Sequence, residues 1–444
     1  MRDLTQGPIP GHLFAMAAPI AAGMLAQTLY FLIDLYFVAQ LGETALAGVG
    51  AAGIGMFVVM ALTQTLGVGA MALVSQAVGR KDPEDADLAF NQSMSLAVIC
   101  TFGTIVFGYL LAGWYMGTVG ADRATADAGT TYLFWFMPGL ALQYLNIVMM
   151  SGLRGTGVVQ PTMIVQMLTV LINALLAPIL IAGWLTGHAM GVAGAGLASS
   201  ISVAVGSLML ALYFHKLEKY IHIRPATWRP QLPVWARMVN IGLPAGGEFG
   251  FMFLYMAVIY WVIRDFGAAA QAGFGLGTRL MQSIFLPAMA IAFATGPIAG
   301  QNFGAKHYTR VRETFRAAAK ISVILMIAIT LLCQWRPEWL VHGFTQDPEV
   351  VDVATHFLRL ISFNFAASAL IFTCSGIFQG LGHTWPALVS TSSRVLTFIV
   401  PAIWVSSLPG HKIDHVWYVS VASVWLQAML SLYLLHRTMR ARLA

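Results

Sequence analysis

The stretch Met16–Leu41, MAAPIAAGMLAQTLYFLIDLYFVAQL, decides the fold class, because it is almost unbroken apolar sequence around a single carboxylate, Asp34. A run of about 18 or more apolar residues is long enough to cross the ~30 Å hydrocarbon core of a membrane as a helix. Lipid exposure of a charged group costs at least ~2.5 kcal/mol, so we expect Asp34 to face protein or water. Asp34 precedes Gln40, where polar sequence returns, and therefore lies roughly 9 Å inside one face of the membrane.

Composition extends this interpretation to the whole chain. Charged residues make up 9% of the 444 residues and hydrophobic residues 58%, with a mean hydropathy of +0.75. Soluble domains carry about 25% charged residues. The long continuous apolar runs argue against an outer-membrane barrel, whose strands alternate in polarity. The sequence predicts an all-α polytopic membrane protein, and the short polar segment 1–12 predicts that the first span is retained and is no signal peptide.

Twelve apolar runs are separated by charged or Gly/Pro-rich breaks, which places both termini on one side. Of the 24 Lys and Arg residues, 17 fall in the terminal segments and in the loops on that side. The positive-inside rule therefore predicts cytoplasmic termini. The net charge of +6 is spread over separate short loops and indicates topology, with no nucleic-acid partner. The predicted spans are 14–39, 46–74, 92–116, 130–150, 160–183, 191–214, 242–263, 271–300, 318–335, 353–378, 385–407 and 416–436.

An internal repeat organises the chain. One constant shift, which places Pro19 on Pro244, superposes equivalent Pro, Tyr, Gly, Gln and Lys positions without a gap. Each repeat has six spans, an even number, so both halves enter the membrane from the same side. This arrangement predicts two parallel six-helix lobes around a central cleft. We predict an N-terminal lobe at 1–215, a cytoplasmic linker at 216–240 and a C-terminal lobe at 241–444. The superposed pairs include Pro19/Pro244, Tyr30/Tyr255, Gly42/Gly267, Gln76/Gln301, Lys81/Lys306, Gly157/Gly382 and Pro161/Pro386.

Several segments resemble the multidrug and toxic compound extrusion (MATE) family, and the pattern is similar to its bacterial DinF-like or NorM-like branch. The resemblance implies a twelve-helix antiporter of the bacterial inner membrane that exports amphiphilic, mostly cationic compounds in exchange for H⁺ or Na⁺, and it covers nearly the whole chain. The resembling segments are Asp34 with the Leu41-Gly42 turn, VSQAVGR at 74–80, AGQNFGA at 299–305, SGLRGTG at 151–157 and IFQGLGHTWP at 377–386.

The resemblance also implies a coupling site in the first lobe. Asp34 and Asn173 match the family's acid and amide, and Ser199 supplies the hydroxyl. The fourth family position, an acid or amide, falls on Ala177, which removes an oxygen ligand from any site for a hard cation. The remaining lone acid can load and release a proton, so H⁺ is favoured over Na⁺ as the coupling ion.

Other polar residues within the spans have open interpretations. Glu248 follows a Gly/Pro-rich segment that predicts a helix start near the cytoplasmic face, where it either is stabilised by the helix or attracts cationic substrate. Arg279 and Arg394 need a counter-charge or carbonyl oxygens, and we interpret them as structural ties within the second lobe, with lobe-to-lobe pairing as the alternative. Substrate-cavity lining and interhelical hydrogen bonding remain open for Tyr30, Gln143, Tyr144, Asn146 and Gln166.

No Walker motif and no nucleophile–base constellation is present in the sequence, so we expect an ion-driven transporter and no enzyme, with no metal or other cofactor. The three cysteines are interpreted as packing residues. We expect a monomer in the lipid bilayer that binds small-molecule cations. A lipid-linked oligosaccharide flippase of the same superfamily is the alternative, for which a cationic cavity would be required, and an intramembrane enzyme is a more distant one.

Overall fold

The computed structural model describes residues 2–342, 348–410 and 412–443. Within these ranges, twelve helical segments are long and apolar enough to cross a membrane, which confirms the predicted all-α polytopic fold. The tenth span is formed by α11 and α12, and the eleventh by α13, a π-helical turn and α14. The helices are α1 (Ile9–Ala39), α2 (Glu43–Gly79), α3 (Pro83–Val119), α4 (Arg123–Gly155), α5 (Gln160–Ile181), α6 (Val192–Lys216), α7 (Leu232–Ile263), α8 (Ala268–Gly304), α9 (Tyr308–Trp335), α10 (Glu338–Val341), α11 (Pro348–Ile361), α12 (Phe365–Gly380), α13 (Trp385–Arg394), α14 (Val400–Ser406) and α15 (Ile413–Arg442).

The repeat seen in the sequence is also present in the backbone. Lys81 and Lys306, which are equivalent positions of the repeat, both adopt the left-handed conformation with φ of 60° just after α2 and α8. Non-glycine residues rarely adopt this conformation, because Cβ crowds the neighbouring carbonyl oxygen. Gly42 and Gly267 precede these same two helices with φ of 105° and 90°. The two halves therefore share unusual local geometry as well as spans.

The helices pack into two compact units. The first consists mainly of Ala18–Gly246, and the second combines Leu4–Ala17 with the chain from Gly247 onwards. Each unit has its own apolar core. The chain passes from one unit to the other inside α1 and inside α7, near the helix prolines Pro19 and Pro244. These prolines are equivalent positions of the repeat, and each removes one backbone hydrogen bond from its helix.

The segment that precedes α7 packs against α3 of the first unit through buried amide side chains. Asn91 Nδ2 donates to the carbonyl of His222 at 2.8 Å, and Asn91 Oδ1 accepts from the backbone N–H of Arg224 at 2.7 Å. Gln92 Nε2 donates to the carbonyls of Thr227 and Arg229 at 2.8 and 2.9 Å. Side-chain amides thus replace water as partners for the backbone of an irregular segment.

The segment that precedes α1 is held in the same way by the second unit. The backbone N–H of Leu4 donates to Gln301 Oε1 at 3.0 Å, and Asn302 Nδ2 donates to the carbonyl of Leu4 at 3.1 Å. Arg310 Nη2 donates to the carbonyl of Gly7 at 2.9 Å. Both pre-helix segments are therefore fixed by amide side chains near a helix–helix turn.

Candidate functional site

Asp34 lies in the second half of α1 and is only 8% exposed. Tyr30 precedes it by four residues and therefore shares its face of the helix. Tyr30 is also buried. The structure thus places the carboxylate away from lipid, as expected for a charged group inside a span.

Helices α4 and α6 supply the side chains that face this part of α1. The Tyr132 hydroxyl lies against the Asp34 carboxylate, and the Ser199 hydroxyl faces both Tyr30 and Tyr132. Close packing of α6 on α4 brings Ser199 to this point, since a Cβ at Gly196 would lie 2.6 Å from the Tyr132 carbonyl oxygen. Ser200 fixes the same contact by donating to the Trp135 carbonyl at 2.6 Å.

Asn173 lies on α5 and is fully buried. Seven residues earlier on the same helix, Gln166 contacts α1: its Oε1 occupies the space that a Cβ at Gly23 would need. Asn173 is two turns beyond Gln166, and Tyr30 is two turns beyond Gly23. Because α1 and α5 cross the membrane in the same direction, Asn173 and Tyr30 lie at one level.

Several polar atoms of these residues have no hydrogen-bond partner within the described ranges. They are Tyr30 Oη, Asp34 Oδ1, Ser199 Oγ and both Asn173 amide atoms. A buried polar group without a partner costs about 1–3 kcal/mol, so native proteins keep few of them. Such a group of atoms on residues of α1, α5 and α6 is typical of a site that binds an ion or a ligand. We refer to Tyr30, Asp34, Tyr132, Asn173 and Ser199 as the Asp34 cluster.

The Asp34 cluster fits a proton better than a metal cation. It contains one carboxylate, and a single carboxylate is enough to carry a proton. Hard cations take about six or more oxygen ligands. Ala177, one turn beyond Asn173 on α5, is fully buried and offers no side-chain oxygen.

The other candidate lining residues of α4 lie outside the Asp34 cluster. Tyr144 is fully buried in the apolar core of the first unit, and its hydroxyl accepts from Thr104 Oγ1 at 3.0 Å. This contact is an interhelical hydrogen bond, one of the two interpretations left open by the sequence. Asn146 is buried, and its Oδ1 has no partner among the described residues, whereas Gln143 is half-buried.

Glu248 lies on α7 in the second unit, and the predicted helix start at this position is wrong. The helix begins at Leu232, so Glu248 lies well inside it, away from the free N–H groups of the first turn. The Gly/Pro-rich segment that suggested a start is accommodated within the helix. Glu248 Oε1 is buried and has no hydrogen-bond partner in the part of the chain that the structure describes.

The two arginines within spans of the second unit differ in environment. Arg279 of α8 is exposed, whereas the Arg394 guanidinium lies 3.6 Å from the centroid of the Tyr255 ring. Neither forms a salt bridge with an acid of the described residues. No acidic counter-charge is therefore seen for either arginine among the described residues, and Arg394 packs instead against an aromatic ring of its own unit.

Tyr132 is the member of the Asp34 cluster that the sequence did not reveal. It falls at the start of the predicted fourth span, in an aromatic-rich segment, and tyrosines at span ends usually mark the membrane interface. In the structure α4 begins earlier, at Arg123, which places Tyr132 more than two turns inside the helix. An error in a span boundary therefore concealed a site residue.

Comparison with known proteins adds independent information. The MatE family model matches the chain twice, at residues 19–179 and 244–404, and the two matches begin at equivalent positions of the repeat. The "FAD transporter" of Shewanella oneidensis is 22% identical over 399 residues, covering 90% of this chain and 88% of the relative. The "Multidrug export protein MepA" of Staphylococcus aureus is 24% identical over 441 residues, covering 97% and 95%.

Solved structures share the fold. One is described as an outward-facing conformation of a multidrug resistance MATE family transporter of the MOP superfamily. It superposes with a TM-score of 0.91 at 23% sequence identity, covering 99% of this chain and 98% of that structure. At this level of identity the likeness concerns the fold alone, and it confirms the two-lobe helical architecture.

Proposed function

Because the chain belongs to the MATE family of membrane transporters, and is therefore a transporter and no enzyme, we propose that it exports amphiphilic organic cations in exchange for protons. The name of one relative, a multidrug export protein, supports drug-like cargo, whereas another relative is named as an FAD transporter. We place the protein in the bacterial inner membrane as a monomer with both termini in the cytoplasm, following the excess of Lys and Arg in the loops on that side.

The observation that carries the proposal is the buried Asp34 carboxylate among side chains whose polar atoms have no partner in the described chain. A proton and a cationic cargo compete for the same single negative charge in this arrangement. Binding of one therefore weakens binding of the other, which is the reciprocal coupling that exchange requires. Na⁺ is the alternative coupling ion, and the loss of an oxygen ligand at Ala177 disfavours it.

Alternating access completes the cycle. Asp34 is five residues from the end of α1, about 7.5 Å along the helix, on the side that the charge distribution assigns to the exterior. Protons arriving from outside reach Asp34, neutralise it and favour the state that releases cargo. The proton acts only through its different affinity for the two states.

Glu248 contributes a second negative charge, in the second unit. Its buried Oε1 has no partner in the described chain, so the charge is available to a positively charged ligand. We assign it the role of raising the local concentration of cationic cargo.

A direct test uses everted membrane vesicles with an imposed acid-inside proton gradient, to which the cationic dye ethidium is added. Wild type is expected to dissipate the gradient when the dye is added, and Asp34→Asn at equal expression is not. Asp127→Asn serves as the control, because Asp127 is an exposed acid on the same membrane side at the start of α4. Dye movement driven by a Na⁺ gradient, or by no gradient, would refute proton coupling.

A further inference from the structure

Arg394 is a charged residue at membrane depth for which the proposed proton exchange has no use. It ends α13, nine residues after Trp385, which is about 14 Å along the helix. This distance is close to the middle of a ~30 Å hydrocarbon core. A guanidinium at this depth is costly unless a partner compensates its charge, so its neighbours indicate what it does.

The neighbours of Arg394 among the described residues supply an aromatic surface, and none of them forms a salt bridge with it. Its guanidinium carbon lies 3.6 Å from the centroid of the Tyr255 ring and 5.9 Å from that of Phe398. Phe398 belongs to the apolar core of the second unit and Tyr255 packs against that core, so the guanidinium packs against protein. Arg394 Nε is buried and has no hydrogen-bond partner in the described ranges. A cation–π contact orients the guanidinium, but it leaves the N–H donors free.

The backbone beside Arg394 is irregular in a way that frequently marks a functional position. Residues Val395–Ile399 form a π-helical turn between α13 and α14. Pro401 lacks the N–H that a regular helix would use here, which accounts for the break. Single π-turns within helices are found frequently at functional sites.

Hydroxyl groups surround the stacked pair. Tyr255 Oη is 2.8 Å from Ser420 Oγ of α15, and Thr397 Oγ1 is 2.9 Å from Ser423 Oγ of the same helix. The first pair links α7 to α15, and the second links the irregular region to α15. Hydroxyl groups can donate hydrogen bonds to an anion. The second unit thus presents an oriented guanidinium with hydroxyl donors nearby.

The repeat makes this arrangement the counterpart of the Asp34 cluster. Tyr255 is equivalent to Tyr30 by the same shift that places Pro19 on Pro244. In the first unit this tyrosine lies beside a carboxylate, and in the second it lies beside a guanidinium. The position equivalent to Asp34 is Ile259, which is buried in the apolar core of the second unit. The two equivalent tyrosines therefore have neighbours of opposite charge, although Asp34 and Arg394 are not themselves equivalent positions of the repeat.

We propose that Arg394, Tyr255 and Ser420 form a binding site for an anionic group, a carboxylate or a phosphate, carried by the transported molecule. This inference rests on the proposed function, because it specifies the cargo as a molecule with an acidic group in addition to its cation. Arg394 provides a bidentate donor, a geometry that matches carboxylate and phosphate.

A matched pair of dyes tests the proposal: a rhodamine with a free carboxylate and its ethyl ester, which share one cationic ring system. Affinities are measured by fluorescence polarisation with full-length protein in nanodiscs of zwitterionic lipid. Arg394→Gln is expected to weaken binding of the acid about tenfold to a hundredfold and to change ester binding by less than about twofold, because charge-assisted hydrogen bonds are lost only for the acid. Equal loss for both dyes, or no loss for the acid, overturns the proposal.

Two further variants make the result specific. If Arg394→Gln shows no cooperative melting transition, Arg394→Met replaces it, because methionine suits the apolar environment. The same selective loss of acid binding is expected. Arg437→Gln removes one positive charge from an exposed position of α15 and is expected to leave both affinities unchanged. A similar loss of acid binding in Arg437→Gln would show a general charge effect and overturn the assignment to Arg394.

Lipid provides a second source of phosphate, which nanodiscs of anionic lipid distinguish. If the site takes cargo, the Arg394-dependent preference for the acid persists in anionic lipid. If the preference disappears there, a lipid headgroup occupies the site and the assignment to cargo is refuted. Dye binding is independent of proton movement. A wild type that binds the acid selectively but moves no protons would therefore refute the proposed function and leave the anion site intact.

Discussion

The Tyr132 hydroxyl is the contact to Asp34 that can be removed with the least change in shape. Tyr132→Phe is expected to slow proton–dye exchange at least about tenfold, because a hydrogen bond to a charged group contributes about 1.5–3 kcal/mol. This slowing is measured as the initial rate of dye-triggered loss of the proton gradient in everted vesicles. Tyr144→Phe is the matched control, since that hydroxyl bonds Thr104 and lies outside the Asp34 cluster. Equal slowing by both variants would contradict a special role of Tyr132.

Lys81 and Lys306 store backbone strain at equivalent turns. Each has a φ of 60°, a conformation that costs a residue with Cβ about 1–2 kcal/mol and costs glycine little. Lys81→Gly and Lys306→Gly are therefore each expected to raise the free energy of unfolding by up to about 1 kcal/mol, which thermal melting in detergent measures. Arg80→Gly, at a φ of −72°, is expected to destabilise. A lower melting temperature for both lysine variants would show that the side chains outweigh the strain.

His383 gives the stability a dependence on pH. Burial and the nearby Arg442 charge lower the pKa of its imidazole below the ordinary value of 6.5. The unfolded chain therefore binds a proton that the folded protein does not bind, so stability falls as the pH drops from about 6.5 toward the folded pKa. We expect His383→Gln to reduce the fall in melting temperature between about pH 7 and pH 5. An identical fall in both proteins would exclude His383 as a cause.

At the level of single residues, the sequence predicted Asp34, Asn173 and Ser199 as one site. In the structure Asp34 and Ser199 both lie near Tyr30, and Asn173 is buried on α5. Hydrophobicity reveals a charge inside a span, but it gives neither helix rotation nor the true ends of helices. Those two unknowns concealed Tyr132 and suggested a helix start before Glu248.

At the level of helices, the close approach of α6 to α4 determines the geometry of the site. A Cβ at Gly196 would lie 2.6 Å from the Tyr132 carbonyl oxygen and 2.9 Å from Trp135 Cβ. Gly196→Ala is therefore expected to destabilise the protein by about 1–3 kcal/mol, because the helices must separate. Exchange activity is expected to fall as well, since Tyr132 and Ser199 then move apart.

The control for this prediction is Gly53→Ala in α2, where a Cβ would meet no atom within 4 Å. Alanine there is expected to stabilise the helix by about 0.5–1 kcal/mol. Thermal melting in detergent and proton–dye exchange are measured for both variants. If Gly196→Ala has the melting temperature and the exchange rate of wild type, the contact between α4 and α6 can accommodate a methyl group, which would contradict the prediction.

For the whole molecule, the repeat was the most informative feature of the sequence. A single constant shift predicted the two lobes, and it also relates the two family matches and the paired left-handed turns. The shift gave no indication that residues Leu4–Ala17 pack with the second unit. That membership depends on polar contacts such as Leu4 with Gln301, which join residues far apart in the sequence. Patterns along a chain report local structure, and such contacts are visible only in three dimensions.

The segment before α7 offers a test of membrane orientation. Asn91 holds it through hydrogen bonds with His222, Arg224 and Trp228. Asn91→Ala removes these bonds, each worth about 1 kcal/mol, and is expected to speed chymotryptic cleavage after Trp228 at least about tenfold. Because the linker is predicted to be cytoplasmic, this cleavage should occur in everted vesicles and not in spheroplasts.

Glu84→Ala is the control for cleavage, because Glu84 is exposed at the start of α3. It is expected to leave the cleavage rate unchanged, which isolates the effect of the amide network from that of any change in α3. Cleavage of Asn91→Ala in intact spheroplasts would reverse the orientation, and Asp34 would then lie near the cytoplasmic face. Protons would reach it from the wrong side for export, so this single digestion also tests the direction of transport.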